Sequence, residues 1–85
     1  LSEESFIFDL LEPIQPIHID IIGVRFNLID PTTLEVTMDK AHTLNELFQL
    51  LQAQGIQVAS MRNKSNRLEE LFVKMVEKNL EGDAQ

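Results

Sequence analysis

The chain has 85 residues, 44% of them apolar, and a net charge of −7 with no cysteine. That length is one domain with a thin core, and the even spread of apolar residues excludes a disordered chain. Disulfides, thiol catalysis and thiolate metal sites are excluded outright, and the acidic balance argues against a nucleic-acid surface.

Taken in order, residues 5–10 alternate, with Phe6, Phe8 and Leu10 on one face and Ile7 and Asp9 on the other, which predicts a strand. Residues 11–23 carry Pro13 and Pro16, each lacking a backbone donor, so the segment reads as a connection with some extended character. The longest apolar stretch, 17–24, is interrupted by His18, Asp20 and Gly23 and is far too short to span a bilayer, so a soluble fragment is expected. Because the chain opens on Leu1 with no secretory signal, it reads as a piece of a longer protein.

Residues 24–29 and 33–38 form the clearest hairpin. Val24, Phe26, Leu28, Leu34, Val36 and Met38 share the dry face, and Arg25, Asn27, Glu35 and Thr37 the wet one. Pro31 presets the turn between them, and Asp30 is placed to accept from the backbone ahead. Residues 43–54 predict a helix. Thr43 and Glu46 fit a reciprocal capping box, Leu44, Leu47, Phe48 and Leu51 make the stripe, and Gly55 suits a left-handed C-terminal cap. Residues 56–61 read as a strand with Ile56 and Val58 inward, and Arg62 to Arg67 as a polar loop. Residues 67–79 predict a second helix, capped by Asn66 and Glu69, with Leu68, Leu71, Phe72, Met75 and Val76 as its buried stripe. The remainder of the domain runs to residue 80, with 81–85 as a frayed tail.

The expected fold is α+β, in the order βββαβα. It is a small mixed, mainly antiparallel sheet of about four strands with two helices on one face, related to the ferredoxin-like split βαβ arrangement. The strand at 5–10 is expected between the strands at 33–38 and 56–61, antiparallel to both, and the crossover joining those two to be right-handed.

Chemistry is sparse. The glycines Gly23, Gly55 and Gly82 make no phosphate-binding loop. His18 with Asp20, or Asp39 with His42, supplies two ligands where zinc needs three or four. The serines lack a His–Asp arrangement, so no catalytic, cofactor-binding or metal residue is assigned and the fragment is not expected to be an enzyme. Arg62, Asn63, Lys64, Asn66 and Arg67 form the one candidate interaction loop. Its simpler reading is a strand-to-helix connection that caps the second helix.

The run Gly55-Ile56-Gln57-Val58-Ala59-Ser60-Met61-Arg62-Asn63-Lys64-Ser65-Asn66-Arg67-Leu68-Glu69-Glu70-Leu71-Phe72-Val73 resembles the end of ATP-binding subunits of ABC-2 type exporters, above all those described as putative multidrug ABC transporter ATP-binding proteins. Phe6-Ile7-Phe8-Asp9-Leu10 and Asp30 with Thr33-Leu34-Glu35-Val36 extend the resemblance to about residues 5 to 76. The resemblance implies a C-terminal accessory or regulatory interaction domain. It would follow a nucleotide-binding domain that holds ATP and magnesium, at the cytoplasmic face of the membrane. The implied partners are that upstream domain and the membrane permease subunit, with a homodimer also compatible and no nucleic acid. Only Arg67 to Phe72 maps onto the family's terminal signature, and it carries no chemistry. The alternative function is a small-molecule-sensing regulatory domain, dimeric by analogy with other ferredoxin-like sheets.

Overall fold

A computed structural model describes residues 3–64, 75 and 76. Strands β1 (Glu3–Leu10), β2 (Val24–Asp30), β3 (Thr33–Asp39) and β4 (Val58–Asn63) and helix α1 (Leu44–Ala53) follow in the order β1-β2-β3-α1-β4. They form a four-stranded sheet in the spatial order β2-β3-β1-β4. β1 lies between β3 and β4 and pairs antiparallel with both, as the sequence predicts. The small α+β fold therefore stands for the described residues, but the expected mixed sheet does not: all three strand pairings are antiparallel. The second helix predicted at 67–79 lies mostly outside the described residues.

Register follows from side-chain alternation, because a slip of one residue would turn every strand inside out. Phe6 pairs with Val36 and Phe8 with Leu34 across β1 and β3, and Phe26 pairs with Val36 across β2 and β3. The resulting cluster joins Phe6, Phe8, Leu10, Leu34, Val36 and Met38 to Leu47 and Leu51 of α1. Phe8, Leu34, Leu51 and Val36 are its most enclosed members. Val24, Phe26 and Leu28 of the edge strand β2 pack against it half-buried.

The two-residue connection between β2 and β3 works as the turn chemistry requires. Asp30 Oδ1 accepts from the Thr32 N–H at 3.0 Å and from the Thr32 hydroxyl at 3.3 Å. The register shifts between Leu28 and Asp30, so Ile29 is the extra residue of a bulge. The tip is tied back to the sheet by the Leu10 N–H donating to the Thr32 carbonyl (2.8 Å) and the Ile14 N–H to the Pro31 carbonyl (2.9 Å).

Helix α1 is capped by Thr43, whose backbone is extended and whose hydroxyl accepts from the Glu46 N–H at 3.2 Å. The reciprocal half of the expected capping box is not made. Glu46 turns its carboxylate to the His42 ring instead, a charge-assisted bond in place of one to a backbone amide. At the other end the Gly55 N–H donates to Gln52 and the Ile56 N–H to Leu51, with Gly55 at φ +75°. This pair of bonds is the Schellman motif, and it needs a residue that tolerates the left-handed region.

Two strand boundaries differ from expectation, and the 11–23 connection is as read. β1 begins two residues earlier, at Glu3, where it pairs with Asp39. Residues 11–23 form no strand; one bridge, Ile21 to Val24, closes a turn there. The last strand runs from Val58 to Asn63 instead of 56–61. Ile56 is taken up by the end of α1, and pairing with Ile7 and Phe6 carries the strand through Arg62 and Asn63. Met75 and Val76, expected in a buried stripe, are helical but exposed, at 65% and 41%. Periodicity identifies side chains that share a face, and says nothing of what that face meets.

Candidate functional site

The predicted loop residues Arg62 and Asn63 lie in the edge strand β4, and Lys64 immediately follows it. Asn66 and Arg67 fall outside the described residues. The strand assignment corrects the loop reading, and its cause is the β1 ladder, in which Ile7 pairs with Arg62 and Phe6 with Asn63. Alternation then sends Arg62 to the polar face of the sheet, opposite the cluster around Phe8.

That face is a set of cross-strand polar contacts. Arg62 Nη1 donates to Asp9 Oδ2 at 3.1 Å, and the Ser60 hydroxyl donates to the same oxygen at 2.8 Å. The Lys64 ammonium bonds Glu35 Oε2, while Asn27 Nδ2 donates to Glu35 Oε1 at 3.2 Å. The Lys64 ammonium, with Asn27 beside it, holds the Glu35 carboxyl below the usual range. Further along, Arg25 bonds both oxygens of Glu3, at 2.8 and 3.4 Å, and the Ser5 and Thr37 hydroxyls share a bond of 2.8 Å. Buried Ile7 lies in the middle, paired with Glu35 on one side and Arg62 on the other.

The two candidate cations among the described residues, Arg62 and Lys64, are thus both bound to carboxylates of the same sheet. Ion pairs this exposed contribute about 0–1 kcal/mol each. Their stronger effect is on register, since each joins strands distant in sequence.

The opposite face holds a feature that sequence reasoning missed. Between α1 and β4 lies an open groove of about 600 Å³, lined by Leu11, Phe48, Leu51, Ile56, Val58 and Met61 among others. Phe48 stacks on Phe8, with ring centroids 5.5 Å apart and planes inclined by 18°, yet remains 36% exposed. Leu11 and Met61 are also exposed. Alternation from Val58 would send Met61 to the polar face; the register shift at Asp9/Leu10, which leaves Ala59 as an extra residue, places it opposite Phe8 instead, so no signal in the sequence marked it.

A smaller cavity of about 200 Å³ sits at the other end of α1, between Ile21, Val24, Met38, Leu47 and Leu50, with His42, Thr43 and Glu46 also lining it. No group of three or more His, Asp and Glu side chains among the described residues is arranged to hold a metal. No described helix is long and apolar enough to cross a membrane. No protein-family model matches the chain, and no solved structure matches it significantly.

Proposed function

We propose that this chain is the C-terminal accessory domain of an ABC exporter ATP-binding subunit, working by surface contact and not by catalysis of its own. The observation that carries the reading is the resemblance running from Gly55 to Val73. Its first part coincides with a structural unit: the Schellman turn at Gly55, the entry through Ile56, and edge strand β4. In this reading 67–79 supplies a second helix, completing the order βββαβα.

The surface suits the role. Leu11, Phe48 and Met61 offer exposed apolar anchors along the α1–β4 groove, and Met75 and Val76 are exposed elsewhere in the chain. Interfaces draw most of their energy from a few such anchors. The partners are the nucleotide-binding domain that precedes this segment, which binds ATP and magnesium, and the membrane permease. The location is the cytoplasmic side of the membrane. A small-molecule sensor is the weaker reading: the α1–β4 groove has the volume of a ligand site but no charged side chain among the described residues of its lining to fix a ligand, and the cavity near Ile21, about 200 Å³, is below the roughly 300–1,000 Å³ of drug-sized ligand sites.

The test is deletion of residues 1–85 from the parent subunit, with ATP hydrolysis and permease co-purification measured together. A change in either, with the remainder folded, is the expected outcome. No change in both removes the regulatory and docking role.

A further inference from the structure

His42 sits just before α1 with both ring nitrogens engaged. Nδ1 is 3.0 Å from Glu46 Oε2 in the first turn of the helix, and Nε2 is 2.8 Å from the backbone carbonyl of Ile22, twenty residues earlier. Both partners are oxygens that only accept. A neutral imidazole carries one N–H, so either tautomer sets a ring lone pair against one of these oxygens. The imidazolium alone donates to both.

The Ile22 carbonyl belongs to the turn that leads into β2. That turn is pinned at two further points: the Val24 N–H donates to Ile21 at 3.0 Å, and the Asp39 N–H to Gly23 at 2.9 Å. Ile21 and Val24 also wall the 200 Å³ cavity against Met38, Leu47 and Leu50. The ring therefore joins the 21–24 turn to α1 across the mouth of an apolar cavity.

We infer that His42 is a proton-dependent clip, which in its charged form fastens the 21–24 turn to the start of α1 and on deprotonation releases it. The charged groups around the ring act in the same direction on balance. Glu46 from α1 and Asp39 from the end of β3 favour the imidazolium, and Glu4 of β1 shares with Asp39, Lys40 and His42 the depression beside it. Among the described residues, Lys40 is the opposing cation there. The hydrogen bond from Glu46 first, then that from the Ile22 carbonyl, raises the His42 pKa above its ordinary 6.5. The ring is thus charged in the lower pH range, and the clip opens as pH rises through the raised value. A physiological shift in pH acts on histidine more readily than on any other side chain.

The test is an NMR pH titration of the intact 85-residue chain, following the His42 ring nitrogens, with His18→Gln used to assign the two histidines. Amide-exchange protection at Val24 and Asp39, corrected for intrinsic pH dependence, is measured in parallel. The clip requires three results together: His42 titrating above 6.5, loss of Val24 and Asp39 protection over the same pH range, and a lower His42 midpoint in Glu46→Gln. In His42→Gln the protection should be insensitive to pH across that range. A midpoint at or below 6.5, or the same pH-dependent loss in His42→Gln as in the wild type, would overturn the proposal. The titration of the unmodified chain decides the first point even if a variant fails to fold.

Discussion

Among the described residues two glycines have backbones in the left-handed region, and they provide a controlled comparison. Gly23 lies at φ +87° and Gly55 at φ +75°. A methyl group at Gly55 meets nothing within 4 Å, whereas one at Gly23 is placed 2.2 Å from Asp39 Oδ2 and 2.6 Å from its Cγ. Asp39 has little room to yield without loss, because its Oδ1 accepts from the Ala41 N–H at 3.0 Å. Left-handed strain costs an alanine about 1–2 kcal/mol at either site. The stiffer unfolded chain returns about 0.4–1 kcal/mol in both cases. Only Gly23→Ala also displaces the Asp39 carboxylate, and the bond it gives up is worth about 0.5–1.5 kcal/mol. Gly23→Ala should therefore be less stable than Gly55→Ala by about 1 kcal/mol, or about 4–8 °C in Tm for a domain of this size. Thermal and urea unfolding followed by circular dichroism measure both. Asp39→Ala should cost less in the Gly23→Ala background than alone, since the shared bond is already lost. Equal stability of the two glycine variants would refute the close approach of Gly23 to Asp39.

Leu51→Ala removes a side chain only 1% exposed at the centre of the α1–sheet contact. It should cost about 2–5 kcal/mol in urea unfolding, a large part of a small domain's total; a loss below about 1 kcal/mol would mean that α1 is not seated as described. Glu35 gives a pH test with a fixed sign. Its folded pKa lies below 4.5, held down first by the Lys64 ammonium and then by Asn27. The stabilisation is present above 4.5 and is lost as pH falls through the folded value. The wild-type Tm should fall more steeply on acidification below 4.5 than that of Glu35→Gln, and parallel curves would show that the Lys64–Glu35 contact does not form in solution.

The sheet was legible because its strands alternate cleanly. Phe6, Phe8 and Leu10 against Ile7 and Asp9, and Leu34, Val36 and Met38 against Glu35 and Thr37, each define two faces, and burial follows them with one exception. The exception is Ile7, an apolar residue that is buried on the polar face. The position of β1 was also legible, because a strand–helix–strand crossover leaves room for one antiparallel strand between its two ends. The end of β4 was not. Arg62-Asn63-Lys64 has the composition of a loop, and propensity for strand is largely a matter of what a residue pairs with. Here the partners are Phe6 and Ile7, more than fifty positions away, and Asp9 and Glu35 receive the cations.

The same limit explains the candidate site. Local rules describe bonds that a residue makes within a turn of itself, so the Thr43 cap, the Asp30 turn and the Gly55 cap were all readable. Glu46 was read by the same rules and assigned to the backbone of Thr43. Its carboxylate has a better acceptor's role beside His42, because an imidazolium is a stronger donor than a backbone amide. That choice exists only because the Ile22 carbonyl is brought to the other side of the ring, which in turn depends on Gly23 turning the chain into β2. A helix cap and a distant loop thus compete for one carboxylate, and the outcome is set by tertiary structure. Substituting Gly23 should consequently disturb His42 as well as Asp39, although neither the ring nor its carboxylate partner lies near that glycine in sequence.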